Sequence, residues 1–469
     1  MSDLIVTSLK PAGSEQTVGA VKADGSADPG APGPAREPFR SSMVFQSLFA
    51  LALKGGGVVL AFASQIVVAR SLGVEAFGIY VTVLIWATLL SLVAGMGLPQ
   101  AGVRFFATYA ERAEWSQYRA YLRSAVRLVV LTGLAAGIAA LGIFAALPAL
   151  RTALPAMAVG VLLVVLFGGS TLANGALLAA HRPFMGELGN TVARAILVMV
   201  LVGGAAVAFP PLPVEAALAL TVLASLLVLI LQAGVWWRAT GTHWRGPAQY
   251  GERAMWLRSG GAFLTATLAF ALVERLDTIL IASLASPAQA GPYSVASRLV
   301  LLVSVALTPI SALAGPRAAR LLARHDHDGL QRLMGQTALL YAGAGGVLSV
   351  GLVLAAPLLL GAFGPGFQDA RPLVLVLMVG QVALAFAGPA GGLLAIAGHN
   401  RALVRIMLAT AAADLLFCLI LIPQYGPAGA AVATSLALAG NAVALAIAAR
   451  LILRIDTTLV AGIRLLLRR

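Results

Sequence analysis

Twelve long apolar stretches follow one another between residues 44 and 450, and they constrain the fold more than any other feature of the chain. Each has about 20–26 residues, enough for an α-helix to cross roughly 30 Å of hydrocarbon. One such stretch could be a buried helix of a soluble protein, but twelve in succession could not. The stretches are residues 44–69, 77–99, 124–147, 154–180, 188–209, 214–237, 259–284, 291–314, 336–360, 370–396, 402–423 and 427–450.

The composition excludes the main soluble classes. Of the 469 residues, 60% are hydrophobic and 11% are charged, whereas soluble domains carry about 25% charged residues. A soluble enzyme or a nucleic-acid-binding protein would need more polar surface. The single cysteine, Cys418, excludes a disulfide framework. We therefore predict an all-α polytopic membrane protein.

The distribution of basic residues predicts the orientation. With the N-terminus in the cytoplasm, 25 of the 32 lysines and arginines fall in inner segments, and four lie within the apolar stretches. Only Arg70, Arg151 and Arg371 fall in outer loops. Because cytoplasmic loops carry an excess of Lys and Arg, we predict that both termini lie in the cytoplasm.

Four segments outside the stretches have their own character. Residues 1–42 are rich in Pro, Gly, Ala and Ser and are predicted to form a disordered cytoplasmic tail. Residues 110–123 and 317–332 are amphipathic and are predicted to form interfacial helices. Residues 451–469 are predicted to form an amphipathic cytoplasmic tail, suited to an anionic membrane surface or to ordinary solvent.

The two halves of the chain repeat short patterns at corresponding positions. Residues 78–80 (Gly-Ile-Tyr) match residues 291–293 (Gly-Pro-Tyr), and residues 177–182 resemble residues 393–401 with a similar offset. An even number of helices per copy gives both copies the same orientation in the membrane. The repeat therefore predicts two six-helix lobes related by a pseudo-two-fold axis along the membrane normal.

This architecture predicts a transporter. The N-lobe would comprise residues 43–240 and the C-lobe residues 241–450. Such a pair of lobes encloses a central cavity that rocking can open to either side of the membrane.

Charged side chains within the apolar stretches indicate where that cavity lies. An ionised side chain in hydrocarbon costs roughly 3 kcal/mol or more, so such residues face a cavity or a partner. We predict that Lys54, Arg275 and Arg298 are cavity cations that bind substrate. Their charge would favour an anion such as phosphate or pyrophosphate.

The acidic residues in the same stretches leave two roles open. Glu274, Asp277 and Asp414 could take up a proton or a sodium ion and couple transport to a gradient. Alternatively, Asp277 and Arg298 could form a buried ion pair between their helices. Arg194 lies near a helix end and is expected to snorkel to the surface.

The glycines at residues 55–57 follow Lys54 directly and predict a hinge in the first helix. Gly55, Gly56 and Gly57 weaken the helix and let another backbone or a ligand come close.

Several features exclude other functions. The chain has no Walker A pattern, so we expect no nucleotide cofactor. Residues 325–328 (His-Asp-His-Asp) could bind a metal, but a solvated loop explains them better, and we predict no metal site. The outer loops are too short to hold a catalytic centre. We therefore predict that the protein is not an enzyme, and we assign no catalytic residue.

Four segments resemble the bacterial polysaccharide (Wzx-type) flippases. Residues 69–80 are similar to their A-R-x-L-G-x-x-x-F-G-x-Y signature, and residues 97–106 resemble the end of their second helix. Asp277 with residues 293–298 is similar to their seventh-to-eighth-helix segment. Residues 422–431 resemble the turn before their last helix pair.

The resemblance implies membership of the superfamily of multidrug, oligosaccharidyl-lipid and polysaccharide (MOP) exporters, which includes the MATE transporters and lipid II flippases. It implies two six-helix lobes, alternating access and transport of undecaprenyl-diphosphate-linked oligosaccharide across the bacterial inner membrane for surface polysaccharide, such as lipopolysaccharide or exopolysaccharide. It also implies a basic residue in the first helix, where Lys54 stands.

The expected partners are the lipid-linked oligosaccharide, a coupling proton or sodium ion and the polysaccharide polymerase machinery, with no nucleic acid. One alternative is a cation-coupled multidrug exporter of the same superfamily. A membrane polysaccharide polymerase or ligase would need larger outer loops.

Overall fold

A computed structural model describes residues 39–241 and 246–467, with side chains from residue 56 onward except at positions 183, 266, 269, 270, 273 and 466. Internal contacts divide the chain into residues 1–50 and residues 51–469, and the fold described below lies in the second unit. The predicted disordered tail falls outside the described residues up to residue 38. Residues 39–42 already belong to the first helix.

All secondary structure in the described ranges is helical. Helices α1–α16 are Phe39–Leu72, Val74–Val93, Leu98–Glu111, Trp115–Ala146, Leu154–Ala179, Pro183–Glu187, Arg194–Ala208, Val214–Thr240, Arg253–Leu284, Pro287–Ala323, His327–Phe363, Arg371–Ala387, Ala390–Ile396, Asn400–Tyr425, Pro427–Leu453 and Leu459–Leu467. Short 3-10 turns occupy Pro148–Ala153 and Phe367–Ala370, and a π-helical segment occupies Leu188–Ala193. We refer to α1–α8 as the first half and to α9–α16 as the second half.

Ten helical segments of the described chain are long and apolar enough to cross a membrane, which confirms the predicted all-α polytopic fold. Helices α1 and α9 are not among the ten, although α1 contributes the shorter apolar helix Gly56–Leu72. The count of twelve spans and the division into lobes at residue 240 therefore stay predictions. The ten segments are Val74–Val93, Trp115–Ala146, Pro148–Ala179, Phe184–Ala208, Val214–Thr240, Pro287–Ala323, His327–Phe363, Phe367–Ala387, Asn400–Tyr425 and Pro427–Leu453.

Glycines interrupt two of the predicted stretches. The stretch at residues 77–99 ends as a helix at Val93, because Gly95 and Gly97 adopt positive φ angles and turn the chain into α3. The stretch at residues 370–396 breaks at Gly388, which has φ 70° and is followed by Pro389. Hydropathy alone does not detect these breaks, since glycine is tolerated in apolar runs.

The prediction of two separate interfacial helices is wrong. Residues 110–123 contain the end of α3, a turn and the start of α4, and residues 317–332 contain the junction of α10 and α11 in the same way. Each turn has one residue with positive φ, Ala113 or His325. The Asp326 side chain caps α11 by accepting a hydrogen bond from the Gly329 amide at 2.8 Å. The amphipathic patterns thus belong to helix ends and to the turns between them.

The halves meet at the end of the bundle where α2 and α10 begin, which we call the distal end. Gly78 of α2 lies against Gly291 of α10 so closely that a Cβ built on Gly291 would lie 2.9 Å from Gly78 Cα. The Phe77 ring packs edge-on against Phe367, with centroids 5.5 Å apart. Arg70 Nε donates a hydrogen bond to the carbonyl of Ala362 at 2.6 Å. The end of α11 is therefore joined to the α1–α2 turn.

The halves also meet at the opposite end, which we call the linker end because residues 246–252, the described part of the α8–α9 linker before α9, lie there. A Cβ on Gly97 would lie 2.0 Å from the Gly260 carbonyl oxygen, so the backbones are in contact. Arg119 Nε donates to the Pro247 carbonyl at 2.9 Å. Trp256 Nε1 donates to the Tyr109 hydroxyl at 2.7 Å, and that hydroxyl donates to Glu252. Because the halves touch at both ends, the space between them is bounded at the distal end and at the linker end.

Candidate functional site

A cavity of about 500 Å³ lies between these two contact zones. Most of its wall comes from α1, α2, the π-helical segment and α7, and the second half contributes residues of α9 and α10. Its polar and charged lining residues are Ser64, Gln65, Tyr80, Thr88, Glu187, Asn190, Thr191, Arg194, Thr221, Arg275 and Arg298. This volume is typical of ligand-binding clefts.

Three arginines give the cavity its charge. Arg194 comes from the first half, whereas Arg275 and Arg298 come from the second half. All three are half-buried, and none forms an ion pair with a residue that the structure describes. Glu187 is the one acidic lining residue, so the described lining has a net positive charge.

A π-helical segment positions the polar side of the cavity. Residues 188–193 wind as a π-helix, a rare form that is frequent at functional sites. Asn190, Thr191 and Arg194 all reach the cavity from this segment or directly after it. Asn190 Oδ1 is buried and has no hydrogen-bond partner in the described part of the chain, so it can accept a bond from a ligand.

Neighbouring side chains orient the cavity groups. The Arg194 guanidinium lies over the Phe167 ring, 4.8 Å from its centroid, in a cation–π contact. The Tyr80 hydroxyl lies 2.9 Å from Thr221 Oγ1, which itself donates to the Ala217 carbonyl at 2.8 Å. Because the threonine hydroxyl has one hydrogen, Tyr80 is the donor in this pair. These contacts hold the tyrosine and Arg194 in defined positions.

A second polar group lies among α9, α10, α14 and α15. The carboxylate of Asp277 accepts hydrogen bonds from the Tyr293 hydroxyl at 2.6 Å and from the Thr278 amide at 2.6 Å. The same tyrosine hydroxyl lies 3.3 Å from Thr434 Oγ1. Thr434 also neighbours Asp414, whose carboxylate lies 3.8 Å from Cys418 Sγ.

The ion pair between Asp277 and Arg298 is not present. Asp277 is 8% exposed and satisfied by Tyr293 and Thr278, while Arg298 points into the cavity. The two side chains therefore face different surroundings, although their positions in the sequence predict equal depths in the membrane. Asp277 and Asp414 belong to one polar group, which we call the acidic pair.

The other predicted residues divide into three classes. Lys54 and Gly55 precede residue 56, where the description of side chains begins. Gly57 lines the cavity, and a Cβ on it would lie 3.1 Å from Thr191 Cβ, whereas a Cβ added to Gly56 would have no neighbouring atom within 4 Å. Glu274 is exposed, makes no hydrogen bond or ion pair with the described chain and is not among the residues that line this cavity.

The predicted hinge is not bent in this conformation, because α1 runs without a break through residues 55–57. The close approach of Gly57 to Thr191 does match the other predicted role of these glycines, which was to let a neighbouring segment come close.

Sequence reasoning missed Arg194 and the residues around it. Its place six residues from the end of its stretch predicts snorkelling, but the side chain faces inward over Phe167. The run Gly189-Asn190-Thr191 within an apolar stretch was the available signal, because these residues have low helix propensity and two are polar. No group of three or more His, Cys, Asp or Glu side chains in the described ranges could hold a metal ion.

Comparison with solved structures shows the fold. The lipid II flippase MurJ, in an inward closed conformation, aligns with a TM-score of 0.68 and 14% identity over 90% of this chain and 91% of MurJ. A multidrug resistance MATE family transporter of the MOP superfamily, in an inward-facing conformation, aligns with a TM-score of 0.63 and 14% identity over 87% of this chain and 94% of that chain.

A mutant of the Vibrio cholerae MATE transporter VcmN aligns with a TM-score of 0.51 and 15% identity over 88% of this chain and 97% of that chain. At these identities the likeness concerns the fold, and it is the fold that the resemblance to flippases implied. Comparison with curated protein sequences gave no significant match.

The family follows from the sequence itself. The family model described as "Polysaccharide biosynthesis protein" matches residues 44–321, more than half of the chain. The match includes the A-R-x-L-G motif, the π-helical segment and the three cavity arginines. The chain therefore belongs to the polysaccharide biosynthesis protein family, whose membership the resemblance to Wzx-type flippases predicted.

Proposed function

We propose that this protein flips an undecaprenyl-diphosphate-linked oligosaccharide from the inner to the outer leaflet of the bacterial inner membrane. The observation that carries the proposal is the cavity with Arg194, Arg275 and Arg298, none of them paired with an acidic residue of the described chain. Leaving three guanidinium groups uncompensated in a membrane protein is costly unless an anion joins them.

A diphosphate group suits this arrangement. Each guanidinium presents a planar fork of N–H donors that binds phosphate oxygens in pairs. Arg194 belongs to the first half and the other two arginines to the second, so a diphosphate that contacts all three draws the halves together. Substrate binding and rocking of the halves would then be one coupled event.

The cavity has room for the diphosphate and the sugar next to it, but not for a long glycan and a polyprenyl chain. Asn190, Gln65 and Thr191 supply amide and hydroxyl groups to the sugar hydroxyls. The polyprenyl chain would stay in the surrounding lipid, because moving an apolar chain from one leaflet to the other exposes none of it to water. The remaining sugars would follow through the open side as the halves rock.

The same charge argues against export of cationic drugs. A positively charged compound would be repelled by three arginines and attracted by Glu187 alone. The multidrug exporter that the sequence left open would need the opposite balance.

The acidic pair is our candidate for energy coupling. Asp277 and Asp414 lie outside the cavity lining, so an ion bound there would not compete with the substrate for space. Both carboxylates lie within helices of the second half that contact each other or α15. Uptake of a proton or a sodium ion would remove the repulsion between the carboxylates and alter how α9, α14 and α15 pack.

The experiment is complementation of a strain that lacks the chromosomal copy, with surface polysaccharide as the readout. We expect Arg275→Ala and Lys54→Ala to abolish surface polysaccharide while membrane abundance stays normal. Arg317→Ala, which removes an exposed arginine of α10 outside the cavity, is the matched control. Normal export by both variants would show that Lys54 and Arg275 do not bind the substrate.

Coupling is tested separately in vesicles with an imposed proton or sodium gradient. Asp277→Asn should abolish the dependence of flipping on the gradient while substrate binding persists. Glu274→Gln removes a carboxylate three residues away that makes no hydrogen bond or ion pair with the described chain, and it should behave as the unmodified protein. If the aspartate variant still responds to both gradients, coupling resides elsewhere.

A further inference from the structure

We propose that a basic cleft at the linker end of the second half binds the headgroup of an anionic phospholipid of the inner leaflet. The cleft has a volume of about 670 Å³ and is formed by the start of α11, the end of α15, the loop after α15, and α16. It is separate from the cavity, with which it shares no lining residue. We call it the arginine cleft.

Four arginines face the arginine cleft, namely Arg332, Arg450, Arg454 and Arg464. All are exposed, and none forms an ion pair or hydrogen bond through its side chain with the part of the chain that the structure describes. Two carboxylates also line it, Asp328 and Asp456. The excess of positive charge is therefore available to a phosphate group.

The Asp456 carboxylate is already engaged. It accepts hydrogen bonds from the Thr458 amide at 3.0 Å and from the Thr458 hydroxyl at 2.7 Å, which fixes the entry into α16. Asp328 lies in the first turn of α11, where a negative charge is stabilised by the helix N-terminus. Both acids thus have a local structural role that does not consume the arginines.

The loop that carries Arg454 is rigidly built. Gln331 holds the backbone of Asp456 with two hydrogen bonds of 2.8 Å, one donated to its carbonyl and one accepted from its amide. Thr457 is fully buried, and its hydroxyl donates to the Ala387 carbonyl at 3.1 Å. These bonds hold the cleft in shape without any ligand.

Arg454 itself has a left-handed backbone conformation, with φ 57°. A residue other than Gly, Asn or Asp pays roughly 1–2 kcal/mol for this conformation, and glycine is the usual residue at such a helix end. Arginine at this strained position directs a guanidinium into the cleft. An observed strain of this kind is the type that accompanies function.

An apolar strip beside the cleft distinguishes a lipid from a soluble anion. Val460, Ile463 and Leu467 lie along one face of α16 and are 52%, 44% and 81% exposed. The opposite face packs on α11, where a Cβ on Gly462 would lie 2.5 Å from Leu339 Cγ. Arg464 lies on the side of the helix between these faces and lines the cleft. A charged pocket that continues into an exposed apolar strip fits a headgroup and its acyl chains.

The position in the fold agrees with this occupant. Two membrane-crossing helices bound the cleft, α11 at its start and α15 at its end. Basic pockets between membrane helices at the cytoplasmic surface bind anionic lipid headgroups, and amphipathic helices lie along that surface. The excess of lysine and arginine predicts that this end faces the cytoplasm.

The test is native mass spectrometry of the purified full-length protein titrated with dioleoylphosphatidylglycerol or with the zwitterionic dioleoylphosphatidylcholine. We expect the protein to retain phosphatidylglycerol preferentially. The double substitution Arg332→Gln with Arg464→Gln should weaken that binding about 30-fold, and should leave phosphatidylcholine unaffected. The matched control, Arg401→Gln with Arg405→Gln, removes two exposed arginines at the start of α14, outside the arginine cleft, and should change neither affinity.

Two further measurements distinguish a lipid site from a soluble-anion site and cover the case of an unfolded double variant. Excess inorganic phosphate should not displace phosphatidylglycerol, and displacement would show a soluble-anion site and overturn the lipid assignment. If the double variant does not purify as a folded protein, Arg464→Gln alone should weaken binding about fivefold, because it removes one charge from an exposed position of α16. Equal binding of phosphatidylglycerol by the folded variants and the unmodified protein would overturn the proposal.

Discussion

The contact between Gly78 and Gly291 closes the distal end, and a single methyl group should open it. A Cβ on Gly78 would lie 2.3 Å from the Pro287 carbonyl oxygen and 2.8 Å from Ala288 Cα. Ordinary carbon contacts need about 3.5 Å or more, so α2 and α10 would have to separate by roughly 1 Å. The obstructing atoms belong to the backbone and cannot move aside as a side chain would.

The expected size of the effect follows from this overlap. Inserting a methylene-sized group into a close-packed contact costs about 1–3 kcal/mol. If the distal contact is broken in the alternative conformation, Gly78→Ala destabilises only the closed state. The equilibrium then shifts about 5- to 150-fold toward the distally open state.

The assay is labelling of a cavity cysteine with a membrane-impermeant maleimide added outside the cells. The reporter is Thr88→Cys in a Cys418→Ser background, since Thr88 lines the cavity and its hydroxyl bonds only to the Leu84 carbonyl of its own helix among the described residues. Gly78→Ala should raise the labelling rate by the factor above. Gly343→Ala, an exposed helical glycine with no atom within 4 Å of its added Cβ, should leave it unchanged. A folded Gly78→Ala protein labelled at the control rate would refute the reasoning.

Two further substitutions test the contacts around the linker and the cavity. Tyr109→Phe removes the acceptor of Trp256 and the donor to Glu252, so the free energy of unfolding, measured by thermal melting of the purified protein, should fall by about 1–3 kcal/mol. Tyr250→Phe removes a hydroxyl without a described hydrogen bond and should leave the melting curve unchanged. A Tyr109→Phe protein that melts like the unmodified protein would contradict the linker contact. Tyr80→Phe leaves Thr221 bonded to its own helix and should cost about 1 kcal/mol in the same measurement, while an unchanged melting temperature would show that this bond does not stabilise the cavity wall.

The sequence predicted the parts of the molecule that depend on hydropathy and on charge in hydrocarbon. Long apolar runs determine which segments can cross the membrane, and each predicted stretch coincides with described helix over most of its length. Arg275 and Arg298 are predicted to face a cavity because a guanidinium is too costly to expose to lipid, and both line it. These predictions rest on the free energies of transferring apolar and charged side chains into hydrocarbon, which are larger than the differences set by local backbone geometry.

The features that the sequence did not predict depend on small differences in geometry. The π-helical segment re-aims Arg194 into the cavity, although its depth near a helix end predicted the surface. Asp277 and Arg298 have the same predicted depth, yet helix rotation separates them by directing one toward Tyr293 and the other into the cavity. The turns at Ala113 and His325 also escape prediction, because a positive φ outside glycine has no composition signal.

The central claim is that the cavity arginines bind a diphosphate. The most direct measurement is the affinity of the purified protein for undecaprenyl diphosphate and undecaprenyl monophosphate, before and after Arg194, Arg275 and Arg298 are all replaced by glutamine. We predict that the unmodified protein prefers the diphosphate and that the triple variant binds it at least about 100-fold more weakly, since each charged hydrogen bond contributes about 1.5–3 kcal/mol. A triple variant that folds and keeps both its affinity and its preference for the diphosphate would contradict the account.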